Sequence, residues 1–430
     1  MGTLGGEVFF PNTSEFFFMI CNHRQVFSQK FLSLASLAIV VFGITLFSSS
    51  INALYAAEEA GGSEKILPVD DANLNLSPYV WKSFGKGPAA RIEATMPGAY
   101  IKAVFQGTTR IGIQIDAIDN KGCHPASMPV VQYSIDDTPF KIVPLTRTGE
   151  VYTLPLAEGL DASQPHRLAF YFRAADLGSQ RWGSSLDHLR IAGLVLDSNG
   201  SLTPCPLCPK RAIGYGDSIT EGVGVDSLFT SWQILGPNNA QASWLPIVCT
   251  ALNCEYGQLG SGGQGILNTE MAVPPLQKSW DRYDASASRL TDGKLLPEPD
   301  YVFCAMGTND FGPVFGQSQL FTDAYRLWLE TVRKACPHAY FFCITSPLGR
   351  HTSDIQAAVA ERNKAGDARV YIIDTVMFQN AFSAECKPSR LAYDGVHPSM
   401  YGNAMLSALI VAEVQKALDK DASATSAGNR

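Results

Sequence analysis

The chain has 430 residues, 46% of them hydrophobic and 17% charged, with a formal net charge of −7. This composition excludes a disordered chain, and the length points to two domains rather than one core. The acidic balance, with no block of basic residues, argues against a nucleic-acid partner.

At the N-terminus, Arg24 and Lys30 precede an apolar run from Phe31 to Phe47, followed by Ser48-Ser49-Ser50 and the small-residue stretch Ala53 to Ala57. A basic region, an apolar region and a small-residue exit form the layout of a secretory signal. Residues 1–57 are therefore expected to be an export segment, cleaved near Ala53 to Ala57, which makes the protein secreted or periplasmic. A retained N-terminal anchor is the competing outcome, and no other membrane contact is expected. Residues 58–66 read as a polar lead-in.

From residue 67 to residue 199 the chain reads as β. Strand-like runs recur at Arg91 to Ala94, Ala99 to Phe105, Arg110 to Ile115, Val130 to Ile135, Lys141 to Leu145, Val151 to Leu154, Arg167 to Phe172 and Leu189 to Leu196. Turn residues separate them and no long 3.6-residue period interrupts, which predicts a β-sandwich. Gly200 to Lys210, with its prolines and Cys205-Pro206-Leu207-Cys208, reads as a linker. That cysteine pair has no second pair at zinc-finger spacing, so thiols or a structural disulfide are expected rather than a metal site.

Residues 211–418 read differently. Ala212 to Tyr215, Tyr301 to Met306, Tyr340 to Ile344 and Val370 to Ile373 are near-continuous apolar runs, as in strands buried on both faces of a parallel sheet. Helical stretches lie between or after them at Leu320 to Lys334, Ile355 to Asn363 and Ser399 to Leu418. Strand–helix alternation predicts an α/β domain with right-handed crossovers, and sites in such sheets form at the carboxyl ends of the strands.

Three motifs fall at those ends. Gly216-Asp217-Ser218 follows the first strand, Gly307-Thr308-Asn309-Asp310 follows the second apolar run, and Asp394-Gly395-Val396-His397-Pro398 precedes the last helix. A serine hydroxyl needs an imidazole to take its proton, and a carboxylate three residues earlier can hold that ring. Ser218 is the candidate nucleophile, His397 the base and Asp394 its partner. The tetrahedral oxyanion needs preorganised donors. Asn309 offers an amide, Ser218 its N–H, and the turn Leu259-Gly260-Ser261-Gly262-Gly263-Gln264-Gly265 another N–H. Each residue also has a plain structural role: Ser218 as a helix N-cap, Asn309 and Asp310 as turn residues, His397 as a surface loop residue. Trp182, Trp232, Trp244 and Trp280 could stack on sugar rings or fill the core, and Trp280, in a polar stretch, is the preferred substrate contact.

This set resembles the SGNH (GDSL-type) hydrolase superfamily. The first block matches at Gly216-Asp217-Ser218, the second at Gly263 (with Gly262 the alternative), the third at Asn309 and the fifth at Asp394 and His397. A β-sandwich running straight into such a domain is similar to the family 2 carbohydrate esterases. That resemblance implies a jelly roll followed by a flavodoxin-like three-layer domain, and the removal of O-acetyl groups from polysaccharides such as xylan and glucomannan. Neither metal nor organic cofactor is implied. Some relatives are described as Ser–His dyads; Asp394 makes a triad the simpler expectation here. The alternatives are a GDSL-type esterase or lipase acting on a non-carbohydrate ester, and a non-catalytic carbohydrate-binding protein.

Overall fold

The computed structural model describes residues 63–428 except 179–180, 184–185, 227–235, 237, 270–272, 312–317, 380–381 and 383–387, with side chains as far as residue 423. The expected export segment, Cys21, Trp232 and Cys386 lie outside the described residues. Strands β1 (Glu64–Pro68), β2 (Asn75–Leu76), β3 (Lys82–Phe84), β4 (Arg91–Ala94), β5 (Tyr100–Gln106), β6 (Arg110–Asp116), β7 (Val130–Ile135), β8 (Lys141–Pro144), β9 (Val151–Glu158), β10 (His166–Ala174), β11 (Leu189–Asp197) and β12 (Ser201–Thr203) build two six-stranded antiparallel sheets. One runs β3-β4-β11-β6-β9 with β1 on β11; the other runs β12-β5-β10-β7-β8 with β2 on β5. Alternate residues of β5 and β10, among them Ile101, Ala103, Phe105, Leu168, Phe170 and Phe172, are buried in the core.

Two expectations are corrected. The lead-in is shorter than residues 58–66, because Glu64, Lys65 and Ile66 pair with Asp197, Leu196 and Val195. The linker is shorter too, because Ser201 to Thr203 pair with Gln106 to Val104. Both segments are short on apolar residues, and the backbone ladder holds them, with Leu202 packing against the core.

The second part is a five-stranded parallel sheet of β13 (Lys210–Gly216), β14 (Cys254–Gly260), β15 (Tyr301–Ala305), β16 (Tyr340–Ile344) and β17 (Val370–Ile373). Its order, β14-β13-β15-β16-β17, is the 2-1-3-4-5 order of flavodoxin-like sheets. The helices are α1 (Ser218–Glu221), α2 (Trp244–Ala251), α3 (Leu276–Ser279), α4 (Ser318–Ala335), α5 (Thr352–Lys364) and α6 (Met400–Gly428). Side-chain alternation assigns them to faces. Ile213, Val302 and Cys304 pack with Phe321, Tyr325 and Trp328 of α4 and Ile355 of α5. Ala212 and Phe303 pack with Trp244 and Leu245 of α2 and Leu406, Ile410 and Val414 of α6. No helix among the described residues is long and apolar enough to cross a membrane.

Strand β14 was not expected from the sequence. Its run Cys254-Glu255-Tyr256-Gly257-Gln258 is too polar to read as a buried strand, yet every residue of it is buried. Glu255 explains how. Its carboxylate accepts from Asn75 Nδ2 at 2.9 Å and Cys208 N–H at 3.1 Å, meets Lys102 Nζ at 3.2 Å, and accepts from the Tyr100 hydroxyl. Burial works against the charge, but these donors and Lys102 outweigh it and bring the carboxyl down to about 2. The cluster ties β2 and β5 to the edge of the parallel sheet.

Glu255→Ala is expected to lower the unfolding free energy by about 3–5 kcal/mol, since three donors and a lysine lose their partner together. The folded-state pKa of Glu255 lies below that of the unfolded chain, about 4.3. Its contribution is therefore complete above that pH and fades as the pH falls toward about 2. Urea denaturation of wild type and variant at pH 7 and pH 3 checks this; the gap between the two proteins should shrink at pH 3.

Candidate active site

Strand β13 ends at Gly216, and the chain turns at once into α1. Asp217, not Ser218, is the N-cap: its Oδ1 accepts from Ile219 N–H at 2.9 Å. Asp217 is fully buried, and burial pushes its carboxyl up to about 6. Ser218 is the first helical residue, so its N–H has no intrahelical acceptor and its hydroxyl is not spent on capping. Strands β13 and β15 are neighbours at the switch point of the sheet order, so Ser218 and Asn309, which follow them, emerge side by side.

The loop before α6 brings His397 to the serine. His397 Nε2 lies 2.9 Å from Ser218 Oγ, across 179 positions of sequence, and His397 Nδ1 lies 2.6 Å from Asp394 Oδ2. Asp394 Oδ1 also accepts from the N–H groups of Val396 at 2.9 Å and His397 at 2.7 Å, which locks the turn. Burial opposes the Asp394 charge, but the His397 hydrogen bond prevails and holds the carboxyl below the usual range. An ionised carboxylate only accepts. Nδ1 therefore carries the ring proton, and Nε2 is left to accept from the Ser218 hydroxyl.

The donor side is built from the loop after β14. Gly262 N–H already donates to Glu221 Oε2 at 2.7 Å. Gly263, at φ +71°, makes no backbone N–H hydrogen bond among the described residues. Of the two glycines open in the sequence, Gly263 is thus the one with a donor to spare. Asn309 Nδ2 donates to the Gln264 carbonyl at 3.0 Å, which orients the amide and leaves its second N–H available. Ser218 and Asn309 are 7% and 8% exposed.

Trp280 does not join this group. It is 6% exposed, caps the end of α3 and belongs to the core cluster, although Lys278, two residues before it, is exposed. Trp244 is buried as well, its Nε1 donating to Thr220 Oγ1 at 3.0 Å. Trp182 is half-buried and lines an open cavity of about 420 Å³ with Phe84, Lys82, Arg190 and Asp284. Cys123, Cys205, Cys208, Cys249, Cys254, Cys304, Cys336 and Cys343 are free thiols.

Sequence reasoning missed the residues that hold the donor loop. Asp310 reads as a plain turn residue, yet it is fully buried. Its carboxylate accepts from the N–H groups of Ile266 at 2.9 Å, Leu267 at 2.8 Å and Asn268 at 3.2 Å, and burial raises its pKa. Its carbonyl receives His351 Nε2 at 2.6 Å, while His351 Nδ1 meets Asp354 Oδ2 at 2.7 Å. The only sequence signal was the adjacency of Asp310 to Asn309.

A doubly wound parallel sheet with a serine, an imidazole and a carboxylate in line at its switch point defines the class as a flavodoxin-like α/β domain with a serine–histidine–aspartate site. Residues 215–405 match the family model described as GDSL-like Lipase/Acylhydrolase family, so this part of the chain is similar to that family. One curated relative, an acetylxylan esterase / glucomannan deacetylase of Cellvibrio japonicus (strain Ueda107), is 26% identical over 147 residues, 32% of this chain and 39% of the relative. The match thus spans about two fifths of that relative's length. Among solved structures, a family two carbohydrate esterase from Cellvibrio japonicus aligns with a TM-score of 0.67 at 17% identity, covering 83% of this chain and 98% of the other. An acetyl xylan esterase from the rumen bacterium Butyrivibrio proteoclasticus gives 0.66 at 16% identity, over 84% and 99%. A Clostridium thermocellum family two carbohydrate esterase, solved with cellohexaose, gives 0.64 at 21% identity, over 80% and 99%. These identities establish a shared fold.

Asp310→Ala should release the 266–268 turn, lowering stability by about 3 kcal/mol for the loss of a charged acceptor with several donors. Hydrogen exchange at Ile266, Leu267 and Asn268 should rise above that of the β15 amides; equal protection in the variant would contradict the clasp.

Proposed function

We propose that this chain is an exported serine esterase that removes O-acetyl groups from a carbohydrate. The observation that carries it is the line Ser218 Oγ, His397 Nε2 and His397 Nδ1, Asp394 Oδ2, at 2.9 and 2.6 Å, beside uncommitted donors at Gly263 and Asn309. Ser218 Oγ attacks the acetyl carbonyl carbon while its proton passes to His397 Nε2. The carbonyl oxygen becomes an oxyanion held by the N–H groups of Ser218 and Gly263 and the Asn309 amide. Collapse breaks the bond to the sugar oxygen, which leaves with the proton from His397. Water then attacks the acetyl-Ser218 ester, giving its proton to His397, and collapse returns that proton to Ser218 Oγ as acetate departs. Asp394 stays ionised throughout and stabilises the ring when it is charged.

The carbohydrate substrate is supported by relatives named for acetylxylan and glucomannan deacetylation and by a fold neighbour solved with cellohexaose. In this reading residues 1–57 are the export segment, 67–199 a jelly-roll domain and 211–418 the hydrolase domain. Trp182, at the open cavity, replaces Trp280 as the ring placed to meet a sugar.

Acetate release from acetylated xylan, acetylated glucomannan and longer-chain acyl esters is the test, with protein lacking residues 1–57. Acetylated glycans are expected to be the better substrates; preference for long-chain acyl esters would favour a lipase. Ser218→Ala should lower kcat by about 10⁴- to 10⁶-fold, and Asn309→Ala by about 10²- to 10³-fold with little change in KM. Unchanged release by Ser218→Ala would defeat the mechanism.

A further inference from the structure

Glu221 closes the single turn that Ser218 opens, and it is 2% exposed. Its carboxylate does two things. Oε2 accepts from Gly262 N–H at 2.7 Å, one residue before the donor at Gly263. Arg181 Nη2 lies 2.9 Å from Oε1 and 3.2 Å from Oε2. Arg181 is likewise 2% exposed, and it comes from the stretch between β10 and β11, in the β part of the chain. Burial acts against the guanidinium charge, and Glu221 outweighs it, so Arg181 is held above its ordinary value. Its carbonyl accepts from His188 Nε2 at 2.9 Å, and His188 Nδ1 lies 3.3 Å from Glu93 Oε1, which anchors the arginine backbone to β4. Leu177 closes over the loop: a Cβ on Gly262 would stand 2.5 Å from Leu177 Cδ2.

A buried carboxylate with no counter-charge gives up its charge or its place. An ionised one is a stronger acceptor than a neutral amide or acid, and so fixes its donor more tightly. The Gly262 and Gly263 amides are joined through one Cα, so fixing the first restricts where the second can aim. Donors of an oxyanion must already be in place when the charge develops.

We infer that Arg181 and Glu221 are positioning residues for the oxyanion loop: Arg181, from the β part, pairs with Glu221 and fixes its place in the core, and Glu221 holds Gly262 N–H so that Gly263 N–H meets the oxyanion. The inference rests on the reading of Ser218 as the nucleophile of an esterase. It assigns the β part a share in transition-state stabilisation, apart from any sugar contact.

The test compares Arg181→Met/Glu221→Met, Glu221→Gln and wild type, each measured for kcat, KM and Tm with acetylated xylan. The double variant removes both charges together, a change that buried pairs tolerate, so its Tm should stay within a few degrees. It also removes the acceptor for Gly262. Its kcat is expected to fall about 10- to 100-fold, less than for outright loss of a donor, with KM within about threefold. Glu221→Gln keeps a carbonyl acceptor without the charge and should fall between the two proteins in kcat; it serves alone if the double variant does not fold. A folded double variant, or a folded Glu221→Gln, with kcat within twofold of wild type overturns the inference, as does a loss carried by KM. Ser218→Ala is run beside them. Acetate release surviving that change defeats the esterase reading itself, whereas an inactive Ser218→Ala beside a fully active Met pair defeats only the positioning role.

Discussion

Close approach of two bare glycine positions to the first turn of α1 is the constraint on which the site depends. A Cβ on Gly216 would stand 1.9 Å from Thr220 Oγ1, and one on Gly260 would stand 2.4 Å from Glu221 N. Strands β13 and β14 are adjacent and parallel, with Gly216 opposite Gly260, so the two bare positions face the same turn. That contact lets the loop after β14 cross α1 closely enough for Ser261 N–H to reach the Gly216 carbonyl at 3.1 Å and Gly262 N–H to reach Glu221. Ser218 and the loop after β14 are thus brought together because two glycines leave room for the turn between them.

The polar side of the site follows one rule: carboxylates hold backbone N–H groups. Asp217 holds Ile219, Glu221 holds Gly262, Asp310 holds Ile266 to Asn268, and Asp394 holds Val396 and His397. Turns carrying reactive groups cannot use a sheet ladder, and a charge-assisted bond from a buried carboxylate is a strong substitute. The four differ in their electrostatics. Asp394 shares its charge with an imidazole and is held low, whereas Asp217 and Asp310 are pushed up by burial. Of these, only the Asp394 carboxylate is hydrogen-bonded to an imidazole, so the same residue type is held in opposite directions by its environment.

This division explains what was legible in the sequence. The apolar runs of β15, β16 and β17 announced themselves, and Ser218, Asn309, Asp394 and His397 were legible because their side-chain types and their positions after strands carry the chemistry. The structure brings them together. Strand β14 and the partners Glu221, Arg181 and Asp310 were not legible. Each is a polar residue whose burial is made tolerable only by a partner distant in sequence, as Glu255 is by Asn75 across 180 positions and Tyr100 across 155. Trp280 shows the converse: its polar stretch reads as a loop contact, and the structure buries its ring in the core cluster. Local pattern reports the face an element turns to the core; it does not report which buried charge meets which.

The two parts of the chain are therefore not joined only at residues 204–209. One apolar cluster runs from Phe105 and Phe170 in the β sheets to Tyr215 and Trp328 in the parallel sheet and its helix layer. Polar contacts reinforce it: Tyr100, Lys102 and Asn75 on Glu255, Arg181 on Glu221, and Arg173, which reaches both Gln132 and Asp226. An appended binding module would be expected to meet its neighbour through a modest, mostly exposed interface and to move against it. Here buried charges of one part are neutralised by the other, so either part alone would expose an apolar face and leave charges unpaired in its core. The β sheets are in this sense part of the scaffold of the Ser218 site, and the serine turn is held from both sides.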